Sequence, residues 1–239
     1  MEQPPFDPHR IDAIVFDVIG TLVDEEPAWQ AAAARLASAA GLSESAGVSG
    51  SAGLADRWAD ALNDRMDAVI AGTAPWQPHR RLVAEAASAA ISSLGGTANA
   101  ATIALAEGVD REYRAWPEVA EATAALRCSR LVAGVSNGDL DSLARLANAN
   151  AISWDVALST SAVRTFKPDP DAYHYAIDEL ALDPARTLFV AAHPWDLRAA
   201  ARHGFRTAYL ARPGAERPTP TDRFDVEAPD LTALATLLA

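Results

Sequence analysis

Hydrophobic positions along this 239-residue chain follow two patterns, one of short runs and one of helical spacing. The apolar runs lie at 13–17, 131–135, 156–158, 187–190 and 207–210. Short continuous runs of this kind are typical of buried parallel strands. Because Ala- and Leu-rich segments with helical spacing separate the later runs, the pattern predicts an α/β fold with a Rossmann-like, doubly wound parallel sheet.

The chain between the first and second runs has helical spacing over most of its length. Ala, Leu and Val recur every three or four residues in segments that predict helices at 29–40, 52–70 and 80–94. Pro27 follows three acidic residues and is expected in the first turn of a helix, with Asp24 as its cap. Residues 41–50 are rich in Ser and Gly and predict a loop.

No strand is predicted inside this helical block, which interrupts the sheet pattern. We therefore predict two domains: a catalytic core formed by residues 1–24 and 117–239, and an inserted helical cap formed by residues 25–116. A cap that follows the first strand would give a closable pocket, which suits a reaction that must exclude water.

Composition argues against several classes of partner. The formal charge is −12, from 32 acidic and 20 basic residues, whereas nucleic acids and anionic membranes require a basic face. We therefore expect no nucleic-acid or membrane partner, and we expect local cations around any anionic substrate. The sequence leaves the assembly state open between a monomer and a homodimer.

The cellular location is inferred from a few residues. The single cysteine, Cys128, cannot form an internal disulfide, and its apolar neighbours predict a buried thiol in a reducing compartment. The residues before Arg10 are rich in proline, are expected to form an extended tail, and lack the features of a secretion signal. No segment is apolar over the length of a bilayer. A cytoplasmic protein is expected.

Asp17 is the candidate nucleophile. It ends the first apolar run, so a parallel sheet would present its carboxylate at the carboxyl edge, where ligands of such folds bind. Gly20 permits a sharp turn just beyond it, and Thr21 offers a hydroxyl and an N–H group to an anion. From these residues alone, Asp17 could equally be a residue that caps a turn.

A family resemblance favours the catalytic interpretation. The segment 16–22, Phe-Asp-Val-Ile-Gly-Thr-Leu, resembles the first motif of the haloacid dehalogenase-like hydrolase superfamily, whose members attack their substrates with this Asp. Ser136 and Asn137, which follow the second run, are similar to the second motif, and Ser-Asn-Gly looks like the 2-haloacid dehalogenase branch. These two residues are expected at the same sheet edge as Asp17, where they could hold a carboxylate or a phosphate.

The third motif is similar to the segment around Lys167. The sequence Lys-Pro-Asp-Pro at 167–170 resembles it, and this resemblance implies that Lys167 pairs with Asp17 and keeps that carboxylate ionised. Tyr173 matches a tyrosine that helps to line the dehalogenase site. Both residues are therefore candidates for the active site.

The fourth motif resembles the segment that follows the run at 187–190. Trp195 and Asp196 look like the Trp-Asp pair of 2-haloacid dehalogenases, and the resemblance implies that Asp196 orients Lys167 or the attacking water. His193 is expected at the same sheet edge, where it could position water.

Two positions differ from the metal-dependent phosphatases of this superfamily. Those enzymes carry a second Asp two positions after the nucleophile, where this chain has Ile19, and a metal-binding Asp where it has Ala192. Phosphoryl transfer to a carboxylate normally requires a cation held by several carboxylates. We therefore expect no metal site and no cofactor.

Displacement of halide requires neither feature, because halide leaves as a stable anion without a proton. The leading interpretation is hydrolytic dehalogenation of a small 2-haloacid: Asp17 displaces halide at C2, and water then cleaves the resulting ester, with His193 or Asp196 as the base. Two alternatives stay open. One is a phosphatase-type hydrolase of a small phosphate ester, and the other is a catalytically idle binder of small carboxylates.

The halide side of the predicted site departs from the dehalogenase branch. A cap helix of that branch typically carries Trp-Arg, with the Arg receiving halide, whereas this chain has Trp58 followed by Ala59. Trp58 is carried over as a substrate-binding residue. The cation could come instead from one of five basic cap residues: Arg57, Arg65, His79, Arg80 and Arg81. The branch also has an aromatic residue, a Ser and an Asn at the positions of Ile19, Ala191 and His193.

Overall fold

The computed structural model describes residues 5–42 and 50–239, so parts of the predicted tail and of the predicted Ser/Gly loop, residues 1–4 and 43–49, lie outside the described residues. The described strands are, in chain order, β1 Ala13–Phe16, β2 Val23–Asp24, β3 Arg114–Ala115, β4 Leu131–Ser136, β5 Val156–Ser159, β6 Thr187–Ala191, β7 Arg206–Leu210 and β8 Val226–Ala228. The described α-helices are α1 Glu26–Ala39, α2 Gly50–Ile70, α3 His79–Ser93, α4 Ala100–Glu107, α5 Val119–Arg127, α6 Leu140–Asn150, α7 Pro170–Glu179, α8 Pro194–Arg202 and α9 Leu231–Leu238.

Six strands form one parallel sheet with the order β5-β4-β1-β6-β7-β8. All residues of the central strand β1 are buried, as expected for a strand covered on both faces. The chain builds outward from β1 to β5, returns to the other side of β1, and builds outward again to β8. This is the doubly wound order of Rossmann-like folds, which confirms the predicted fold class.

The winding reverses between β1 and β6. In open α/β sheets the ligand crevice lies outside the carboxyl ends of the strands at such a reversal. Asp17 follows β1 directly, and Ala192 follows β6 directly. The topology therefore places the first and fourth sequence motifs at the point of the sheet where a ligand site is expected.

The chain divides into two compact units. The first, the core unit, comprises Met1–Asp24, Arg114–Val163 and Lys167–Ala239, and the second, the helical unit, comprises Glu25–Tyr113 and Arg164–Phe166. The return to the core unit occurs three residues before the predicted boundary at 117. None of the described helices is both long and apolar enough to cross a membrane.

The helical unit contains α1 to α4 and has its own aromatic centre. The Trp29 ring lies 4.1 Å from the Trp58 ring, measured between centroids. Each indole N–H has an acceptor: that of Trp29 donates to the Tyr113 hydroxyl at 2.8 Å, and that of Trp58 donates to the carbonyl oxygen of Val83 at 2.8 Å. Trp58 and Tyr113 are buried and Trp29 is partly buried, and aromatic rings with satisfied polar ends fix how the helices pack.

Three short strands were not predicted. β2 and β3 pair antiparallel, with Val23 opposite Ala115, and two residues are too few to show an alternating pattern. Asp24 ends β2, and Glu25 is the N-cap residue of α1, so the prediction of Asp24 as the helix cap is wrong. β8 has only three residues, of which the middle one, Glu227, is exposed.

The prediction of a buried thiol is also wrong. Cys128 is exposed at the C-cap of α5. Its thiol donates to the carbonyl oxygen of Ala124 at 3.4 Å, one turn earlier in the chain. The apolar neighbours of Cys128 contribute to α5, whereas Cys128 itself lies on the side of the helix end that faces water.

Candidate active site

The loop that follows β1 holds the candidate nucleophile in place. The N–H of Asp17 donates to the carbonyl oxygen of Val190 in β6 at 2.9 Å. Gly20 has a φ of 81°, a left-handed conformation that glycine adopts without strain, and its N–H donates to the carbonyl oxygen of Val23 at 3.0 Å. The tight turn brings the Thr21 side chain back alongside the carboxylate of Asp17.

Lys167 joins the two carboxylates of the predicted site. Its ammonium nitrogen lies 2.7 Å from Oδ1 of Asp17 and 2.5 Å from Oδ2 of Asp196. All three residues are at least 95% buried. The ammonium also lies 5.5 Å from the centroid of the Phe189 ring, which forms an apolar wall beneath it. A buried cation between two buried anions is an arrangement in which each charge depends on the others.

Burial and the neighbouring charges shift the pKa values of these three groups in different directions. Burial opposes ionisation of Asp17, but Lys167, His193 and the hydrogen bond from Thr21 outweigh it and hold the pKa of Asp17 below its ordinary value. Burial also opposes the charge on Lys167, yet the two carboxylates raise its pKa. For Asp196, burial and the nearby charge of Asp17 prevail over Lys167, and its pKa is raised. At neutral pH Asp17 is therefore the ionised carboxylate that a nucleophile must be.

Thr21 connects the two strands that flank the reversal of winding. Its hydroxyl donates to Oδ2 of Asp17 at 2.8 Å and accepts from the N–H of Ala192 at 2.8 Å. Each oxygen of Asp17 thus receives one hydrogen bond, Oδ1 from Lys167 and Oδ2 from Thr21. This fixes the orientation of the carboxylate plane.

Asp196 is fully buried, and both of its oxygens are used. The Tyr173 hydroxyl donates to Oδ1 at 2.5 Å, and Lys167 donates to Oδ2. Burial and the adjacent carboxylate raise the pKa of Tyr173, so the phenol stays protonated and remains a donor. The Tyr173 ring stacks on His203 at 5.1 Å between centroids. Tyr173 thus contacts Asp196 and orients it.

Asn137 is engaged with the main chain of Lys167. Its Oδ1 accepts from the N–H of Lys167 at 2.7 Å, and its Nδ2 donates to the carbonyl oxygen of Lys167 at 3.3 Å. The hydroxyl of Ser136, in contrast, accepts from the N–H of Gly138 at 3.1 Å. Both residues lie at the predicted sheet edge, and the amide of Asn137 also holds the main chain of Lys167.

His193 also lies at this edge, beside Asp17. Its Nε2 is 3.2 Å from the carbonyl oxygen of Ile19 and 3.6 Å from Oδ2 of Asp17. Because a carbonyl oxygen can only accept, we assign a proton to Nε2. The side chain is 26% exposed and stacks on Trp195, with centroids 5.7 Å apart. Among the candidate catalytic groups, His193 is thus the one that water can reach.

The metal-binding positions of related phosphatases carry no ligand groups here. Ile19 and Ala192 have hydrocarbon side chains, and the carboxylates of Asp17 and Asp196 already bind the ammonium of Lys167. Within residues 5–42 and 50–239, His, Cys, Asp and Glu side chains form no group of three or more that could hold a metal ion. The donor set thus suits a bound ammonium better than Mg²⁺, which requires several oxygen ligands.

The remaining candidates belong to the helical unit. Trp58 is fully buried there, in the aromatic centre described above, and Ala59 and Arg57 are exposed on α2. Two of the five basic candidates have partners within their own helices: Arg65 donates to the carbonyl oxygen of Ala61, and Arg81 pairs with Glu85. The ring of His79 packs edge-on against Phe166, at 6.3 Å between centroids. Arg80 lies on the exposed side of α3.

Comparisons with known proteins define the class of this fold and site. The family model of haloacid dehalogenase-like hydrolases matches residues 11–204, which include all four motifs. The chain therefore belongs to the haloacid dehalogenase-like hydrolase family.

The individual relatives narrow this class to one branch. The (S)-2-haloacid dehalogenase of Xanthobacter autotrophicus is 31% identical over 205 residues, which cover 84% of this chain and 76% of that enzyme. The match to (S)-2-haloacid dehalogenase 4A of Burkholderia cepacia reaches 34% identity but spans less than half of either protein. The resemblance to the 2-haloacid dehalogenase branch, predicted from the motifs, is confirmed.

Solved structures agree with the sequence matches. The crystal structure of a defluorinating L-2-haloacid dehalogenase has a TM-score of 0.84 at 28% identity and covers 98% of this chain and 99% of its own. A second L-2-haloacid dehalogenase has a TM-score of 0.83 at 30% identity, with 95% and 98% covered. The similarity thus extends over both units of the fold.

Proposed function

We propose that this protein hydrolyses the carbon–halogen bond of a small 2-halocarboxylic acid through an ester on Asp17. The observation that carries the proposal is the buried carboxylate of Asp17, kept ionised by Lys167 at 2.7 Å and oriented by Thr21 at 2.8 Å. The names of the related enzymes support the substrate class, and they support S handedness at C2.

In the first step an oxygen of Asp17 attacks C2 of the substrate from the side opposite the halogen. A carbon–oxygen bond forms, the carbon–halogen bond breaks, and halide leaves with the bonding electron pair. No proton is transferred, which agrees with the hydrocarbon side chain of Ile19 where related phosphatases have an acid. Attack from the rear inverts the configuration at C2.

In the second step water attacks the carbonyl carbon of the new ester, the former carboxyl carbon of Asp17. Negative charge develops on the carbonyl oxygen, where the Lys167 ammonium or the Thr21 hydroxyl can stabilise it. The ester bond then breaks, the leaving oxygen takes the proton of the hydroxyl group that water placed on the carboxyl carbon, and the base later releases its own proton to solvent. The 2-hydroxy acid leaves, and Asp17 is regenerated as a carboxylate. The oxygen taken from water stays on Asp17, and the configuration at C2 does not change again.

Two residues are candidates to take the proton of the attacking water. Asp196 has a raised pKa, but it is fully buried and both of its oxygens accept hydrogen bonds. His193 is partly exposed and adjacent to Asp17. We assign the base to His193 on this accessibility. Since Nε2 carries a proton beside Ile19, the accepting atom is Nδ1, or Nε2 after its proton has moved to Nδ1.

Ser136 is proposed to receive the substrate carboxylate. It ends β4 at the same sheet edge as Asp17, and its oxygen already accepts from the N–H of Gly138, which fixes the hydroxyl for donation. Asn137 contributes indirectly, because its amide holds the main chain of Lys167. We therefore assign Asn137 a positioning role.

The ligand, the cellular location and the assembly state are proposed from charge, composition and family. The names of the related enzymes and the buried ammonium of Lys167 support a small anionic substrate, and the net charge of −12 argues against nucleic acid. We propose a cytoplasmic location because the chain has a single cysteine, which cannot form an internal disulfide, and cell fractionation would check it. The two assembly states proposed are a monomer and a homodimer, and sedimentation of the purified protein would distinguish them.

One experiment tests the proposed chemistry. The protein is mixed in excess with (S)-2-chloropropionate in water enriched in ¹⁸O, and the peptide that contains Asp17 is weighed. We expect the label on Asp17, unlabelled (R)-lactate from the first turnover, and one chloride per product. Label in the product alone would exclude the ester route.

A substrate panel tests the alternatives. Chloro- and bromoacids are compared with small phosphate esters, with added Mg²⁺ and with a chelator. Release of halide in both conditions is expected. Turnover of a phosphate ester that requires Mg²⁺ would favour the phosphatase, and saturable binding of carboxylates without turnover would favour the idle binder.

A further inference from the structure

Arg212 contacts the loop that carries Thr21. It lies just beyond β7, is only 7% exposed, and donates from Nε to the carbonyl oxygen of Thr21 at 2.9 Å. Its Nη1 donates to Oε1 of Glu118 at 2.5 Å. Arg212 and Thr21 are 191 positions apart in the chain. A buried arginine thus links the end of the sheet to the loop after β1.

Trp116 holds Leu22, the residue that follows Thr21 in the same loop. The N–H of Trp116 donates to the carbonyl oxygen of Leu22 at 3.2 Å. The guanidinium carbon of Arg212 lies 5.1 Å from the centroid of the Trp116 ring, so the planar cation packs over the indole. Two consecutive carbonyl oxygens, those of Thr21 and Leu22, are therefore fixed by Arg212 and Trp116.

The Thr21 hydroxyl is the reason that this support matters. It bridges Oδ2 of Asp17 and the N–H of Ala192, both at 2.8 Å, and a hydroxyl on a short side chain can make both bonds only from one main-chain position. We infer that Arg212 is a positioning residue for the proposed reaction, which sets the place of the Thr21 hydroxyl and, through it, the orientation of the Asp17 carboxylate. The inference rests on the proposed function.

The chemistry of the guanidinium suits this role. Its planar fork donates in two directions at once, to the carbonyl oxygen of Thr21 and to the carboxylate of Glu118, whereas the ammonium of lysine is a point charge on a flexible stem. Lysine at position 212 would keep a cation near Glu118 but would not fix both partners. We therefore expect Arg212→Lys to recover little of the rate.

A cavity gives access to this cluster from solvent. It has a volume of about 900 Å³ and is lined by Arg212 and Trp116, together with Tyr209, Arg217 and Glu227. Such a volume exceeds that of a guanidinium ion many times over. A variant that lacks the Arg212 side chain can therefore take up guanidinium from solution at the place of the missing group.

The test compares Arg212→Ala with Arg206→Ala. Arg206 is the matched control because it is also buried, at 6% exposure, and pairs with Asp225 at 2.8 Å at the other end of β7. Both variants are expected to lose thermal stability. Only Arg212→Ala is expected to lose kcat, by about tenfold to a hundredfold, because a small misplacement of a reacting group has that effect.

Added guanidinium, at concentrations far below those that unfold proteins, supplies the second readout. It is expected to raise kcat of Arg212→Ala severalfold with little change in KM, and to leave Arg206→Ala and the wild-type protein unchanged. Equal kcat values for the two variants would overturn the inference. It would also be overturned if guanidinium restored neither kcat nor the slow hydrogen exchange of the Ala192 N–H in Arg212→Ala. If Arg212→Ala does not fold, Arg212→Lys is compared with Arg206→Lys in the same way.

A measurement without turnover separates this inference from the proposed function. Hydrogen exchange at the N–H of Ala192, which donates to Thr21, is expected to become faster in Arg212→Ala and to slow again with guanidinium. This result would support the positioning role even if the protein dehalogenated nothing. Unchanged exchange in an enzyme that forms the Asp17 ester would reject the positioning role alone.

Discussion

Nζ of Lys167 lies 2.7 Å from Oδ1 of Asp17, although 150 positions separate the two residues in the chain. Both side chains are buried, so neither charge can be screened by water. The ion pair therefore contributes both to the chemistry proposed for Asp17 and to the stability of the core unit, and these two contributions can be measured separately.

Replacing Lys167 with Met is expected to lower the free energy of unfolding by about 3 to 5 kcal/mol, because buried carboxylates lose their cation. Denaturant titration measures the change. The control is Arg186→Met, which removes an exposed ion pair with Asp12 and should barely move the midpoint. Equal losses in the two variants would show that the buried pair is no more important to stability than a surface pair.

The rate of ester formation is expected to be independent of pH across the neutral range. The reaction needs Asp17 ionised, and its pKa is below the ordinary 3.8; it also needs Lys167 protonated, and its pKa is above 10.5. Because the pKa of Asp17 is depressed on folding, the stability it contributes is present above 3.8 and is lost as the pH falls through the lower, folded value. Rapid-mixing measurements of halide release check the rate, and an acid limb near pH 6 in this step would contradict the assignment.

Asn137→Leu is expected to lower kcat about tenfold or more, since it removes both hydrogen bonds to the main chain of Lys167. The loss should be similar for chloro- and bromoacids if Asn137 acts through Lys167. Thr160→Val is the control, because it removes only the 3.4 Å contact with the same amide and should change little. A loss that differs strongly between the two halogens would instead indicate direct contact of Asn137 with the leaving halide.

His193→Gln is expected to slow hydrolysis of the ester about a hundredfold, the range of general-base catalysis, while ester formation stays near normal. Intact-protein mass spectrometry would then show the ester accumulating during turnover. Asp196→Asn is the comparison, and it should slow ester formation as well, because Asp196 binds Lys167. If His193→Gln turns over at the wild-type rate and Asp196→Asn accumulates ester, the base is Asp196.

The sheet edge could be predicted from the sequence because strand residues and carboxyl ends follow directly from hydrophobic runs. Asp17, Ser136 and His193 were all expected at that edge, and the structure brings them there. The pairing of Lys167 with Asp17 came from the family resemblance, since a single lysine carries no local signal for burial. The structure supplies the distance that the resemblance could not.

Side-chain partners were the part that could not be predicted. The contact of the Asn137 amide with the main chain of Lys167 was not predicted, because it depends on how two distant loops meet. The position of His203 against Tyr173, and that of Phe189 beneath Lys167, likewise depend on packing across elements. Cys128 was misjudged because apolar neighbours describe α5 as a whole, whereas exposure depends on one position at its end.

The central place of β1 in the sheet has a consequence for how the protein is made. Ribosomes add about 5 to 20 residues per second, so Lys167, which follows Asp17 by 150 positions, is made about 8 to 30 s later. Both sheet neighbours of β1 are also made later. During that interval the carboxylate of Asp17 has no cation, and burying it would be unfavourable. The carboxylate at the end of the first strand therefore stays hydrated until Lys167 and both neighbouring strands have been made.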